Sequence, residues 1–266
     1  MNTSLTARVA ELLRQAAAAI VVPRFQRLQH GDIEEKSPGE MVTIVDREVE
    51  ALLTPALQAL VPGSRVVGEE ASALDARLLQ GLDHGAVWLV DPLDGTSNFI
   101  VGRPQVAMMV ALLRDGQTLA GWILDPLRGT LCSAESGAGA WQDDRRLQVS
   151  TPGATALSGI VKTRYLPDGL KQEIERRTTR LHQLHPGSNA AGVDYPAIVR
   201  GESDFAVYWR TLAWDHAPGT LLLTEAGGHV ARWDGSPYRP GDDRTGLLVA
   251  ASAQVWEAAR HALLDD

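Results

Sequence analysis

Apolar residues recur at Leu5, Val9, Leu12, Leu13, Ala16, Ile20 and Phe25, close to a 3.6-residue period. This predicts a long first helix reaching about residue 29, with a bend near Pro23. His30-Gly31-Asp32 ends it, and the polar run 33–40, closing on Ser37-Pro38-Gly39-Glu40, predicts a mobile loop. The helical period returns over residues 43–60, where Val45, Val49, Leu52, Leu53, Ala56 and Leu57 share one face. Pro62-Gly63-Ser64 turns the chain into a short strand at Val66-Val67, and residues 71–82 read as weakly helical or loop. Residues 86–90 form a continuous apolar run, the pattern of a strand buried on both faces. Apolar runs at 105–113 and 118–124 flank Arg114-Asp115-Gly116-Gln117, a hairpin signature, and short runs at 130–134 and 139–141 extend the meander. The first half therefore predicts two helices on a mostly antiparallel sheet.

Pro152-Gly153 predicts an internal boundary, dividing a single domain into halves of about 1–151 and 152–266. Beyond it, strand patterns at 159–163, 205–209, 228–232 and 246–250 alternate with helical ones at 168–179, 190–200, 214–226 and 253–264. That alternation indicates an α/β layer arrangement.

Composition narrows the function classes. With 266 residues and 44% hydrophobic content the chain can bury a large core. A net charge of −8 leaves no basic field for nucleic acid, so no direct nucleic-acid binding is expected. The single Cys132 excludes an intramolecular disulfide and a cysteine-based zinc cage, which fits the cytoplasm. Arg8, Glu11 and Arg14 interrupt the apolar pattern of the first helix, so it reads as amphipathic and not as a leader or membrane span.

Chemistry concentrates where the 86–90 run ends, at Asp91-Pro92-Leu93-Asp94-Gly95-Thr96-Ser97-Asn98-Phe99. Pro92 cannot continue a ladder, so the strand is expected to turn there and bring the two carboxylates to one point. Like charges held close need a cation between them or a shared proton. Gly95-Thr96-Ser97 could open a short helix whose free N–H groups suit a phosphate. Taken alone, Asp-Pro and Asp-Gly are also ordinary turn formers. Glu69 and Glu70 follow the short strand at Val66-Val67, Asp46 stands in the first turn of the second helix, and Asp215 stands at the start of the penultimate one. Asp46 and Asp215 could be no more than helix-terminal acids, and Lys36 a surface lysine. His216 could be an exposed residue, a wall residue or a ligand, the last being least consistent with an all-oxygen donor set. Asp125-Pro126 repeats the central pattern, but Arg128 replaces its second carboxylate, so it reads as a strand end. An aspartyl-phosphate mechanism of the haloacid dehalogenase type needs two aspartates spaced by two after one strand, and here the spacing is three.

Gly68-Glu69-Glu70, the Asp91-to-Phe99 stretch, Trp214-Asp215 and Thr224-Glu225-Ala226-Gly227-Gly228, in this order and spacing, strongly resemble the inositol monophosphatase family of metal-dependent, lithium-sensitive phosphatases. Lys36 and Val42-Thr43-Ile44-Val45-Asp46 match as well, so the resemblance spans nearly the whole chain. It implies a layered αβαβα sandwich, a homodimer, and hydrolysis of a small phosphate monoester by water activated on Mg²⁺ or Mn²⁺. It implies that Glu69, Asp91, the Leu93 carbonyl, Asp94 and Asp215 hold two ions, with a third weaker one at Glu69. Glu69, and Thr96 paired with Asp46, would orient the attacking water. Asp94, Gly95, Thr96, Ser188, Asn189, Tyr208 and Asp215 would contact phosphate or substrate, with Lys36 and Glu70 in support. The chain departs from the pattern at Tyr208, where inositol-preferring members carry a glutamate. Tyr208-Trp209-Arg210 favours a flatter or more anionic alcohol. Related phosphatases act on histidinol phosphate, fructose 1,6-bisphosphate or 3′-phosphoadenosine 5′-phosphate, and some bacterial relatives associate with the transcription machinery, so a role mainly as a binding partner is the alternative.

Overall fold

The computed structural model describes residues 4–150 and 156–265, and the expected boundary at Pro152-Gly153 lies outside them. The first helix is shorter than its periodicity suggests. The α1 segment (Leu5–Ala16) passes into a π-helical turn (Ala17–Val21) and a final turn, α2 (Val22–Arg24), after which Gln26 takes a φ of 59°. Pro23 has no N–H to give the carbonyl four residues back, and the wider turn ahead of it makes room for its ring.

Residues 33–40 do not form the expected loop. Strand β1 (Ile33–Ser37) pairs antiparallel with β2 (Glu40–Thr43) as a separate two-stranded hairpin. Strand β1 is largely solvated and β2 buries only its last two residues, so the alternation that marks a half-buried strand never appears in the sequence. Thr43 then caps α3 (Ile44–Leu60), as the pattern predicts.

The larger sheet has the order β3-β4-β5-β6-β7-β8-β9. Its strands are β3 (Arg65–Gly68), β4 (Ala86–Asp94), β5 (Ala107–Arg114), β6 (Gln117–Leu124), β7 (Leu131–Glu135), β8 (Gly139–Gln142) and β9 (Arg145–Leu147). All neighbours are antiparallel except β3 and β4. Between β3 and β4 lie α4 (Glu69–Leu74) and a 3₁₀ turn (Ala76–Leu79), and α5 (Thr96–Ile100) follows β4. At β5–β6, Asp115 and Gly116 both have positive φ, the backbone of a two-residue hairpin turn.

Strand β4 does not stop at Pro92. Asp91 pairs with Met109 and Asp94 with Ala107, so three steps on β4 oppose two on β5, a β-bulge. A bulge is where a strand tolerates a proline, which has no N–H for the ladder.

The smaller sheet has the order β11-β10-β12-β14-β13, built from β10 (Ser158–Val161), β11 (Gln183–His185), β12 (Phe205–Tyr208), β13 (His229–Arg232) and β14 (Leu247–Ala250). Its helices are α6 (Asp168–Arg177), α7 (Ala191–Val199), α8 (Ala213–Glu225) and α9 (Ala253–Leu263). The layers run α1 and α3, large sheet, α7 and α8, small sheet, α6 and α9, the expected αβαβα sandwich. Buried on nearly every side, α8 shows little amphipathic pattern. Two glycines let it lie close: a Cβ on Gly121 of β6 would come within 2.9 Å of the Pro218 backbone, and one on Gly219 within 2.1 Å of the Tyr195 ring. That packing fixes where Asp215 points.

Candidate active site

Glu69, Glu70, Asp46 and Asp215 stand in the first turns of helices, and Asp91 and Asp94 stand at the bulge that ends β4. In β4 the bulge makes Asp91 and Asp94 pair with Met109 and Ala107, which are two apart and therefore face one side of β5. Met109 and Ala107 belong to the core against α7 and α8, whereas Val90 and Leu93 belong to the core against α1 and α3. Both carboxylates thus face the α7–α8 layer, where Asp215 sits in the first turn of α8. Glu69 and Glu70 open α4 directly after β3, the strand parallel to β4. Asp91, Asp94, Glu69 and Asp215 consequently line one cavity of about 590 Å³, together with Lys36, Leu93, Gly95 and Thr96.

Asp46 is a capping acid and more. Its Oδ2 accepts from the Thr43 N–H at 2.8 Å and the Thr43 hydroxyl at 2.5 Å, while the Thr96 hydroxyl lies 3.0 Å from its Oδ1. The same hydroxyl is 3.0 Å from the Leu93 carbonyl oxygen. Lys36, reaching in from β1, donates to Glu69 at 2.6 Å and Glu70 at 2.8 Å. Gly95 stands ahead of α5 with a φ of 87°, and a Cβ there would come 2.7 Å from the Gln105 carbonyl oxygen, so glycine is required. Hydrogen bonding back to Gly95 begins only at Asn98 N, leaving the preceding N–H groups at the cavity.

The electrostatics are those of crowded carboxylates. Burial, reinforced by Glu69, Asp94 and Asp215, pushes the Asp91 carboxyl well above its ordinary range. Burial also raises Asp215, with Asp94 and Glu69 adding to it, and raises Asp94 to about 7 against the hydrogen bond from Gly192 N. Burial lifts Asp46 to about 6 and Glu70 to about 7. Burial disfavours the Lys36 ammonium, yet Glu69 and Glu70 outweigh it and hold that group above its usual value. Among the described residues no three of these side chains are drawn into a closed ligand cluster. Glu69 is turned to Lys36, Asp94 to the Gly192 N–H at 2.6 Å, and Asp91 to the Leu93 N–H at 3.0 Å.

The expected substrate contacts are divided. Asn189 lines the cavity with a φ of 59°. Ser188 lies outside the lining residues; its hydroxyl is 2.6 Å from Asp194 Oδ1, and its carbonyl accepts from the Asn98 amide at 2.6 Å, so it supports the wall from behind. Tyr208 forms wall, buried and stacked on Tyr195 with ring centres 5.9 Å apart. His216 is wholly enclosed: one ring nitrogen is 3.2 Å from the Arg210 carbonyl and the other 2.9 Å from the Tyr195 hydroxyl. The carbonyl can only accept, so Nε2 carries the proton and Nδ1 accepts from Tyr195. Burial lowers the imidazole to about 3 and keeps it neutral, so His216 is a wall residue and not a ligand.

Two groups escaped the sequence reading. Buried Glu50, on α3, accepts from the N–H groups of Glu70 and Ala71 at 2.8 Å each, so it caps α4 and aims Glu69. A Cβ on Gly68 would sit 2.2 Å from the Glu50 carboxyl carbon. Glu50 lies one turn beyond Asp46 on the same helix, a spacing that could have drawn attention to it. Asp194 is buried on α7 and ion-paired to Lys162 at 2.8 Å, and nothing in its local sequence marks it.

The arrangement has counterparts among known proteins. An inositol-1-monophosphatase of Mesorhizobium japonicum is 34% identical over 220 residues, 79% of each chain. A Pseudomonas aeruginosa protein named Nus factor SuhB is 32% identical over 232 residues, 84% of this chain and 83% of its own. The crystal structure of the extragenic suppressor protein suhB from Bartonella henselae has a TM-score of 0.83 at 26% identity, across 98% of this chain and 99% of that one. Residues 2–266 match the model of the inositol monophosphatase family, and the chain belongs to that family.

Proposed function

We propose that the protein hydrolyses a small phosphate monoester to an alcohol and inorganic phosphate with Mg²⁺ as the working ion. The observation that carries this reading is the cavity on which Glu69, Asp91, Asp94 and Asp215 converge from separate segments. The donor set fits a hard divalent ion: carboxylates and the Leu93 carbonyl, no thiolate, and an imidazole whose two nitrogens are already engaged. Their raised proton affinities are what uncompensated crowding produces and what a cation relieves. Two ions held by Glu69, Asp91, the Leu93 carbonyl, Asp94 and Asp215, with a third weaker one at Glu69, is our reading of the set; Mn²⁺ would also suit it. When bound, such ions activate water and neutralise charge on the phosphoryl group and the departing oxygen.

The chain's own residues orient the reaction. Asp46 holds the Thr96 proton towards Oδ1, which leaves a Thr96 Oγ1 lone pair to accept from the attacking water. Glu69 accepts the second hydrogen bond of that water, and Lys36 balances the charge on Glu69 and Glu70. The Gly95 and Thr96 N–H groups hold phosphoryl oxygens. Because ligands come from both halves of the chain, we read residues 1–266 as one working domain. Lithium sensitivity, a homodimer and a cytoplasmic setting complete the proposal; no helix among the described residues is long and apolar enough to cross a membrane.

Turnover of a panel of phosphomonoesters in Mg²⁺, with EDTA and Li⁺ as controls, tests it. Activity that survives EDTA would refute the reading.

A further inference from the structure

Part of the cavity wall has a chemistry that the carboxylates do not explain. Lys162, Arg164, Lys171 and Arg210 line it alongside Tyr165 and Trp209. The two arginines gather around Tyr165: the Arg210 guanidinium lies 3.9 Å and the Arg164 guanidinium 5.2 Å from the ring centre. Carboxylates match two of the four cations, Glu40 for Arg210 and Asp194 for Lys162. Lys171 has only a 4.0 Å contact with Glu175, both side chains being exposed. Arg164 donates to the Gly39 carbonyl at 2.6 Å, a neutral partner. The wall therefore keeps surplus positive charge in a chain whose net charge is −8. A cleft focuses such a field on whatever enters it. Tyr208, whose hydroxyl lies 3.4 Å from Asp194, presents no carboxylate for the hydroxyls of a neutral polyol.

We infer that the alcohol released by this enzyme carries a second anionic group, a phosphate or carboxylate, which Arg164 and Lys171 meet while the scissile phosphate occupies the carboxylate-lined corner. The inference rests on the phosphatase reading above and names its substrate class. A cavity of about 590 Å³ accommodates a substrate with two charged groups. The planar guanidinium of Arg164 suits either anion, since it can present two parallel N–H donors.

The test compares matched pairs: 3-phosphoglycerate with glycerol 3-phosphate, and fructose 1,6-bisphosphate with fructose 6-phosphate. For each pair, kcat/KM is measured in Mg²⁺, and equilibrium binding is measured by calorimetry on the Asp91→Asn variant. The anionic member should be favoured about tenfold, the ratio one charge-assisted hydrogen bond supplies. Arg164→Gln and Lys171→Gln should each narrow that ratio, and the double variant should narrow it further. Arg128→Gln, at an exposed position paired with Asp125 outside the cavity, should not change it. The pair that shows the preference identifies phosphate or carboxylate. Ratios near one, or ratios indifferent to both cavity variants, overturn the inference. A binding preference that persists without Mg²⁺-dependent turnover of any ester would instead overturn the phosphatase reading and leave the anion site standing.

Discussion

Removing divalent cations should make the protein less stable as pH rises, the reverse of ordinary acid denaturation. Asp46, Glu70 and Asp94 bind protons more tightly in the fold than in the unfolded chain, with values raised to about 6, 7 and 7, and burial raises Asp91 and Asp215 in the same sense. The folded state therefore carries extra protons between the unfolded values near pH 4 and the folded values near pH 6 to 7. Their stabilisation is complete below about pH 4 and is lost as pH rises through 7. For Asp46 alone the rise from 3.8 to about 6 corresponds to ~3 kcal/mol between those limits. Spread over a chain of 266 residues, ~3 kcal/mol lowers Tm by ~5 °C. Carboxylates held low by arginines, such as Glu34 and Glu202, act in the opposite direction but only below about pH 4.5. His216, lowered to about 3, opposes the trend as pH falls below the ordinary imidazole value and offsets part of the gain from the several raised carboxylates. The assay is thermal melting in EDTA at pH 5.0 and 8.0, repeated with MgCl₂. Tm in EDTA should be lower at pH 8.0, Mg²⁺ should raise it more there than at pH 5.0, and Asp91→Asn should shrink the gap by removing one of the crowded charges. A Tm in EDTA that is equal or higher at pH 8.0 would refute the claim that these carboxylates are crowded.

Other consequences can be measured separately. Asp91→Asn and Asp215→Asn should each lower Mg²⁺-dependent kcat by orders of magnitude, since an ion contributes several kcal/mol to the transition state; loss of less than tenfold would remove them from the ligand set. Glu50→Gln keeps the size of the side chain but gives the two α4 N–H groups a weaker, uncharged acceptor, so kcat should fall while the circular dichroism spectrum stays the same. Gly68→Ala should reproduce that fall, because its Cβ would displace the same carboxyl. Gly219→Ala should destabilise the fold by ~1–3 kcal/mol through overpacking against Tyr195, read as a lower urea midpoint.

The layered order of helices and sheets was legible because buried strands and amphipathic helices each leave a period in the chain. The 33–43 hairpin was not, since its first strand is solvated and needs no apolar alternation, and β9 and β11 are three-residue edge strands too short to carry a pattern. At the site, Glu69 and Asp215 were legible because each opens a helix, and Asp91 and Asp94 because they flank a Pro-Leu step after an apolar strand run. Glu50 and Asp194 were not: they act on neighbours 20 or more positions away, Glu70 and Lys162, and such contacts exist only once the chain has packed. Ser188 shows the converse, a residue beside the cavity in sequence whose hydroxyl is spent on Asp194.

The irregularity in β4 also explains an arithmetic detail of the chain. In an even zigzag, side chains three positions apart point to opposite sides, so Asp91 and Asp94 could share a cation only at a spacing of two or four. The supernumerary residue changes that parity and sends Leu93 into the apolar layer behind. Straightening the strand at its present length would thus send the two carboxylates to opposite sides of the sheet, even though no acidic residue had been touched.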